Sequence, residues 1–470
     1  MILETAIDSG DTAWVLTSAA LVLLMTPGLA CFYGGMVRAK GVLNMMMMSF
    51  ITMGTIGVLW ILFGFSMAFG EPIIGIPSVN EAGDSTVIGL LGNPFQFFGL
   101  TSLLGADATF GTLPALAFVA FQACFAIIAT ALVSGAIADR ASFAGWTVFT
   151  ILWGILVYFP AAHWVFDFGG IEIGGEPATV NGGWIGSWLG AIDYAGGTAI
   201  HINAGISALA LALVLGPRIG FGSKPMRPHN MTLVMIGATL LWFGWFGFNA
   251  GSAVSAGTDA SFAWVNTLGA TAAAMLGWLI VEKIRDGHPT SLGAASGIVA
   301  GLVAITPACS SVSPLGGLFI GLAAGVICAF AVGLKYKFGY DDSLDVVGVH
   351  LVGGLTGTLL IGLLADPASP AATAGLFYGG GLDQLWRQAV GAIAVLVYGF
   401  VVSYLIALVI KKTIGWRVEP AAELGGIDLA EHGEIGYDLS PVYYSSRVQR
   451  TLVMTADDLA EPAPATTGAK

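Results

Sequence analysis

The sequence predicts a polytopic membrane protein built from α-helices, and two observations support that prediction. Charged residues make up 10% of the 470 residues, whereas an ordinary soluble protein has about 25%. Apolar residues make up 56% of the chain and form blocks of about 20 residues, the length that crosses roughly 30 Å of hydrocarbon as a helix. Because hydrocarbon offers no hydrogen bonds to an open backbone, such blocks must be helical. A soluble domain is therefore excluded.

Hydropathy divides the chain into eleven predicted transmembrane helices. Their approximate boundaries are 12–37, 43–70, 112–138, 143–166, 196–216, 229–251, 259–284, 290–309, 314–336, 346–365 and 387–413. The segments 71–111 and 167–195 contain Gly and Pro and are predicted to be non-helical. The transmembrane domain is predicted to cover residues 1–414, and the more polar remainder, 415–470, forms a tail whose end is predicted to be disordered.

The distribution of basic residues predicts the orientation of these helices. Of the 17 lysines and arginines, all except Arg387 fall in alternate loops or in the tail, on one side of the predicted spans. Since lysine and arginine favour the cytoplasmic side, the N-terminus is predicted outside and the C-terminus inside. The outer side is then strongly acidic and would concentrate cations in a vestibule. The ordinary insertion rule explains the same asymmetry without any function, so both interpretations stay open.

The four cysteines give no sign of a metal or redox site. All four lie inside apolar blocks and none belongs to a CxxC spacing: Cys31, Cys124, Cys309 and Cys328. Metal sites and disulfide frameworks require closely spaced or regularly paired ligands. We therefore expect free buried thiols, no metal, no cofactor and no nucleic-acid partner.

Two histidines lie deep inside apolar blocks, where an ionisable side chain is costly and marks function by default. His201 lies in AGGTAIHINAGISALALA and His350 in DVVGVHLVGGLTG. An acid precedes each of them, Asp193 by eight residues and Asp345 by five. If the first ten helices form two inverted five-helix repeats, the fifth and tenth occupy equivalent positions. The two imidazoles would then meet and share one proton along a pore.

The sixth predicted helix, in LLWFGWFGFNAGSA, has one face that is both polar and aromatic. At i, i+3, i+4 and i+7 that face carries Trp245, Phe248, Asn249 and Ser252. The third helix places Phe121 and Phe125 one turn apart. Aromatic faces with this spacing are more often packing surfaces. A hydroxyl beside aromatic rings also suits a small cation, because a desolvated cation–π contact contributes about 2 kcal/mol.

Taken together, these motifs resemble the Amt/Mep/Rh ammonium transporter family, on its bacterial Amt branch. The resembling stretches are PGLACFYGGMVRAK, DYAGGTAIHINAG, GWFGFNAGS, SGIVAGLVAITPAC and DVVGVH, in order along the chain. The resemblance implies a homotrimer in the cytoplasmic membrane, each subunit having eleven helices as two inverted five-helix repeats plus a last helix. It implies nitrogen uptake by ammonium transport, with ammonium recruited outside, deprotonated, and passed as ammonia through a hydrophobic pore.

The resemblance also implies roles for aromatic residues at the outer end of the pore. Phe125, Phe166 and Ser252 would recruit ammonium, and Phe125 and Phe248 would be stacked rings that gate the pore. The family commonly has tryptophan three residues after the histidine of an AHxVW stretch, but AAHWVF places Phe166 there. Trp164 is predicted to point elsewhere. Because phenylalanine is a weaker cation–π partner than tryptophan, recruitment is expected to be weaker.

The remaining roles concern the pore and its support. The resemblance implies that His201 and His350 line the pore and that Asp193 supports the outer site without touching the substrate. Further supporting positions would be Trp245, Thr306 and Ser296.

Three other functions are alternatives to transport. An appended output domain would favour an ammonium sensor with little transport, and we expect no such domain in this sequence. An Rh-like gas channel for ammonia or carbon dioxide fits less well with the bacterial-type tail and with Ser252. A membrane enzyme needs a nucleophile–base pair or a metal, and the spans offer two histidines without a carboxylate nearby.

The tail contains GWRVEPAAELGGIDLAEHGEIGYDLSP, which resembles the family's cytosolic regulatory tail. The resemblance implies that it couples subunits and can be met by a nitrogen-regulatory PII-type protein. A solvated tail without such a partner is the alternative.

Overall fold

The computed structural model describes residues 7–79 and 85–437, and in them most of the chain is helical. The membrane-type helices in chain order are Ser9–Met36 (α1), Ala39–Phe69 (α2), Ala115–Ile137 (α3), Phe143–Phe166 (α4), Gly197–Leu215 (α5), Met231–Gly251 (α6), Thr258–Arg285 (α7), Ser291–Ile305 (α8), Pro314–Phe338 (α9), Val347–Leu364 (α10) and Asp383–Thr413 (α11). Ten of these described helices are long and apolar enough to cross a membrane. The exception is α8, which has 15 residues.

Most helix boundaries agree with the predicted spans to within a few residues. The segment 290–309 is the clearest difference, because α8 ends at Ile305. Pro307 lacks the N–H that would continue the helix, and this explains the early end. The predicted disorder at the end of the tail lies outside the described residues.

Glycines on α8 and α9 hold α7 in a groove between these two helices. A Cβ atom on Gly301 would lie 2.6 Å from the Cβ of Ala274 on α7. Gly321 and Gly325 of α9 lie directly against the backbone of Ala270 and Ala274. Such stripes of small residues let membrane helices reach backbone contact, which is their main route to close packing.

Short strands occur in the segments that the sequence predicted to be non-helical. A hairpin pairs Pro72–Val79 (β1) with Ser85–Gly92 (β2). A second sheet has the order β4-β3-β5-β6 and consists of Ala108–Phe110 (β3), Leu113–Pro114 (β4), Ile171–Ile173 (β5) and Glu176–Pro177 (β6). The pairing of β3 with β5 joins two inter-helix segments that lie far apart in the sequence.

The tail packs against the opposite end of the bundle through two short helices, Pro420–Gly425 (α12) and Ile427–His432 (α13). The Asp428 carboxylate accepts hydrogen bonds from the N–H groups of Leu43 and Asn44 at the start of α2, at 3.0 and 2.8 Å. Glu431 accepts one from Phe143 N–H at the start of α4, at 2.7 Å. Carboxylates stabilise helix N-termini, where backbone N–H groups lack partners within the helix.

Candidate functional site

His201 and His350 meet inside the bundle, where both are buried. Each lies on a π-helical turn at the start of its helix, Gly197–Ile202 in α5 and Val347–Leu351 in α10. Their Nδ1 atoms lie 3.3 Å apart and their ring centroids 5.4 Å apart. At this distance one Nδ1 can donate and the other accept, so the pair is suited to hold a single proton between the rings.

A carboxylate eight residues upstream holds the π-helical turn of His201. Asp193 accepts hydrogen bonds from four successive N–H groups, at distances between 2.6 and 3.1 Å: Gly196, Gly197, Thr198 and Ala199. Burial raises the pKa of the Asp193 carboxyl, and these hydrogen bonds oppose that rise. The carboxylate therefore fixes the start of α5 and the position of the imidazole that follows.

The turn of His350 has the same device, built on Asp342 rather than on Asp345, the acid nearest to His350 in the sequence. Asp342, eight residues before His350, accepts the N–H groups of Val346 and Val347 at 3.1 and 2.7 Å. Burial, together with the charge of Asp345, raises the pKa of Asp342 to about 6. Asp345 itself is ion-paired with Lys335 at 2.7 Å. Asp342 lies eight residues before His350, the same separation as between Asp193 and His201.

Two phenylalanines lie between the histidines and a wide cavity. The Phe125 and Phe248 centroids are 4.5 Å apart, and the Phe248 centroid lies 6.0 Å from that of His201. The two phenyl planes are inclined by 55°, so the rings are tilted rather than stacked as the resemblance implied. A tilt brings the positive edge of one ring toward the negative face of the other, which is the more favourable arrangement.

The wide cavity, called the vestibule here, has a volume of about 450 Å³. Four residues singled out from the sequence line it: Phe125, Phe166, Asp193 and Ser252. The larger side chains among the other lining residues had not been identified from the sequence: Phe110, Phe118, Gln122, Phe168 and Tyr194. Phe118, Gln122 and Phe125 follow i, i+4 and i+7 spacing on α3, a signal that sequence reasoning could have used. The positions of Phe110 and Phe168 depend on pairing between distant segments.

Beyond the two phenylalanines, a second cavity surrounds the histidines. It offers about 10 Å³, close to the space of one water molecule. Apart from the two imidazoles it is lined by apolar and aromatic side chains, including Leu29, Trp245 and Val299. A hydrated ion does not fit in this space.

Comparison with known proteins decides the family. The family model described as Ammonium Transporter Family matches residues 13–437. The chain belongs to the ammonium transporter family. It is 57% identical over 454 residues to an ammonium transporter of Mycobacterium tuberculosis, covering 92% of this chain and 91% of that protein.

Two solved structures share the fold of this transporter over nearly its whole length. Mep2 of Saccharomyces cerevisiae is 32% identical with a TM-score of 0.79, covering 94% of this chain and 95% of that one. A protein described as Sensor Amt Protein is 29% identical with a TM-score of 0.78, covering 90% and 98%. The transporter is thus a multi-pass membrane protein, and its named relatives are transport proteins rather than enzymes.

Two of the supporting positions of the transporter, Trp245 and Thr306, are joined to the histidine pair by direct contacts. Trp245 Nε1–H donates to Thr306 Oγ1 at 2.8 Å, and the indole stacks on His201 at 5.4 Å. The Ser252 hydroxyl donates to the Phe248 carbonyl at 2.8 Å, which leaves its oxygen lone pairs free to accept from a ligand. Ser296 lies one turn before Val299 on α8 and lines neither cavity.

Trp164 points away from the vestibule, as its place in the helix predicted. Its Nε1–H donates to the Leu90 carbonyl at 2.8 Å, and its ring packs against Trp184 and Tyr398. Phe166 is therefore the α4 ring that faces the vestibule of the transporter, together with Phe168 from the following loop.

A metal site is not formed by the described residues. Within 7–79 and 85–437 no three His, Cys, Asp or Glu side chains come close enough to hold an ion. The four cysteines are all free thiols.

Proposed function

We propose that this chain takes up ammonium through a pore that runs from the vestibule past Phe125 and Phe248 to His201 and His350. Ammonium is recruited beside Phe125, Phe166 and Ser252, loses a proton there, and continues as ammonia. The observation that carries the proposal is the unbroken line of rings from the vestibule to the histidines, with centroid spacings of 4.5, 6.0 and 5.4 Å.

The chemistry of the recruitment site fits a small cation that donates hydrogen bonds. Because the hydroxyl hydrogen of Ser252 is already donated to a carbonyl, its oxygen can accept an ammonium N–H. Aromatic faces attract the cation without a formal bond, so the ion is held and can still leave. Asp193 adds a carboxylate to the wall, while its hydrogen bonds to α5 keep it in place.

The size of the second cavity supports passage as ammonia. A space of about 10 Å³ admits a molecule the size of water and excludes a hydrated cation. Potassium cannot give up its charge, whereas ammonium can give up a proton. The imidazole pair offers a donor and an acceptor to ammonia that lipid does not. The proton either stays outside or follows by a separate route.

The proposed setting is the cytoplasmic membrane, with the vestibule outside and the tail inside, as the basic residues predict. All eleven helices then span the bilayer as two inverted five-helix repeats plus α11, in a homotrimer. Residues 1–414 form the transport domain and 415–470 a cytosolic regulatory tail. A PII-type protein is the proposed partner of that tail.

Electrical recording from purified protein in a supported bilayer tests the proposal. An ammonium pulse should give a saturable current if the proton crosses, or a pH change without current if it does not. Potassium should give neither. Changing His201 and His350 together to alanine should leave the protein folded but remove this selectivity. His288→Ala, at an exposed histidine, is the matched control and should behave as wild type. A double variant with full rate and full potassium exclusion would contradict the role of the histidines.

Ammonium sensing is the second candidate function. It is favoured by the contacts of the tail, since Asp428 and Glu431 tie α13 to the starts of α2 and α4, and by a related structure described as a sensor. A sensor should bind ammonium and change the protease sensitivity of its tail while giving neither current nor pH change. Transport at rates comparable to the Mycobacterium tuberculosis relative would exclude sensing as the main role.

A further inference from the structure

A buried carboxylate lies directly behind the aromatic wall of the vestibule. Asp167 follows Phe166 at the end of α4 and precedes Phe168, and both of these rings line the vestibule. Asp167 itself is 1% exposed. Its Oδ1 accepts the N–H of Gly169 at 3.0 Å, and its Oδ2 lies 3.1 Å from Nδ1 of His163.

The N–H of His163 is not directed at this carboxylate. Its Nδ1 is also 3.1 Å from the Ala68 carbonyl oxygen, and the N–H is directed at that carbonyl. Its Nε2 is buried, lies against Gly89 and has no hydrogen-bond partner within residues 7–79 and 85–437. The hydrogen on Nδ1 is therefore donated to the Ala68 carbonyl, and Oδ2 of Asp167 receives no hydrogen bond from the described residues.

The other charges nearby do not compensate Asp167 either. Among the described residues, His163 is its only partner at ion-pair distance. The carboxylate of Glu71 adds further negative charge. Burial raises the pKa of the Asp167 carboxyl, and the contacts with His163 and Gly169 oppose that rise. A buried carboxylate without a paired cation is stabilised by any cation that comes close, and the two residues that flank Asp167, Phe166 and Phe168, line the vestibule.

We propose that Asp167 is a specificity-determining residue of the recruitment site, held in position by the N–H of Gly169. Its charge stabilises ammonium beside Phe166 and offsets the weaker cation–π contact that phenylalanine offers in place of tryptophan. The inference rests on the proposed recruitment of ammonium at Phe166. A unit charge at roughly 10 Å, with an effective dielectric constant of about 20, changes affinity about tenfold.

Asp167→Asn tests the charge while keeping the size of the side chain and an oxygen for Gly169 N–H. The half-saturating ammonium concentration should rise about tenfold, with the maximal rate within twofold of wild type. Ammonium-driven current or pH change, recorded over a range of concentrations, measures both quantities. Asp383→Asn is the control, because Asp383 is an exposed acid paired with a residue four positions away. It should change neither the half-saturation value nor the maximal rate. A fall in maximal rate and in thermal unfolding midpoint, with an unchanged half-saturation value, would mean a purely structural role and overturn the proposal.

Two further variants separate this inference from the proposed recruitment site. Phe166→Ala should raise the half-saturation value. If it does so and Asp167→Asn does not, the recruitment site stands and the role of Asp167 is rejected. If neither variant changes the value, the recruitment site at Phe166 is itself rejected. Should Asp167→Asn fail to fold, His163→Gln keeps a donor for the Ala68 carbonyl and leaves the carboxylate charged. It should keep the half-saturation value within twofold, and a tenfold rise would overturn the proposal.

Discussion

The two halves of the histidine pair use the same construction in different surroundings. In each half a carboxylate lies eight residues before the histidine, a π-helical turn carries the imidazole, and a 13-residue α-helix follows. Asp193 accepts four N–H groups and lines the vestibule. Asp342 accepts two and is 1% exposed, close to the ammonium group of Lys335.

This difference shows how one backbone device serves two environments. On the vestibule side the Asp193 carboxylate is stabilised by backbone N–H groups and has no basic side chain at ion-pair distance among the described residues. On the tail side Lys335 lies beside the acids, donating to the Asp342 carbonyl and pairing with Asp345. Negative charge is therefore left available where a cation would enter and is balanced by a basic side chain at the other end.

Replacing each acid by its amide should have the largest effect and should separate the halves. In each amide variant an NH₂ group replaces one carboxylate oxygen and faces the backbone N–H groups that this oxygen had accepted. There are two such N–H groups in Asp193→Asn and one in Asp342→Asn. Each unmatched buried N–H costs about 1–3 kcal/mol. We expect Asp193→Asn to lower the unfolding free energy by roughly twice as much as Asp342→Asn, and to reduce transport more. Thermal unfolding of the purified protein and ammonium transport measure both effects. Equal losses would mean that the hydrogen-bond count does not distinguish the halves.

A pair of glycines offers a second comparison of somewhat smaller size. Gly205 and Gly354 each lie four residues after a histidine and each touches the start of the other histidine helix. A Cβ on Gly205 would press on the backbone of Leu351, whereas one on Gly354 would lie 3.0 Å from the Gly197 carbonyl oxygen. Overpacking costs about 1–3 kcal/mol. We expect the loss of unfolding free energy to be near the upper end of this range for Gly205→Ala and near the lower end for Gly354→Ala.

Thermal unfolding midpoints and transport rates of the two glycine variants provide the measurement. Gly339→Ala at an open position is a less suitable control because its φ is +77°. Gly54→Ala, on α2 with no atom within 4 Å of the added methyl, is the matched control and should not destabilise the protein, because alanine is favoured over glycine inside a helix. A Gly354→Ala variant less stable than Gly205→Ala would show that the two helix crossings are not arranged as described.

The smallest expected effect concerns a contact that only the His201 half has. Trp245 stacks on His201 and donates to Thr306, and Trp245→Phe keeps the stacking ring while removing the donor. Thr306 Oγ1 still donates to the Leu302 carbonyl at 2.7 Å, so no donor is stranded. We expect a loss of about 1 kcal/mol in unfolding free energy and a transport rate within a few-fold of wild type. A complete loss of transport would assign the indole N–H a role in the pore.

Much of the bundle could be predicted because its signals are local. A block of about 20 apolar residues must be a helix in hydrocarbon, and this rule located the helices to within a few residues. The early end of α8 depends on Pro307, a single residue inside an otherwise apolar block. The pairing of β3 with β5 joins distant segments, and hydrophobic periodicity along the sequence carries no information about such pairs.

The candidate site divides in the same way. His201 and His350 stand out in sequence because buried ionisable residues are rare in such helices, and the structure places their rings side by side. Phe110 and Phe168 reach the vestibule only through the sheet and the loop after α4. Asp167 and His163 were not identified as a pair, because i, i+4 spacing at a helix end is common and reveals neither burial nor the missing partner of Nε2.

The tail acids that cap α2 and α4 are synthesised long after these helices, so the hydrogen bonds at the two helix starts form late. Asp428 lies 384 residues after Asn44, and Glu431 lies 288 residues after Phe143. At a translation rate of about 5–20 residues per second, the first turn of α2 waits roughly 20–80 s for its capping residue. A nascent chain that stops before Asp428 keeps both helix starts open to water. Residues synthesised several hundred positions later therefore complete the starts of α2 and α4, and a chain that stops before Asp428 differs from a longer one at these helix starts as well as in length.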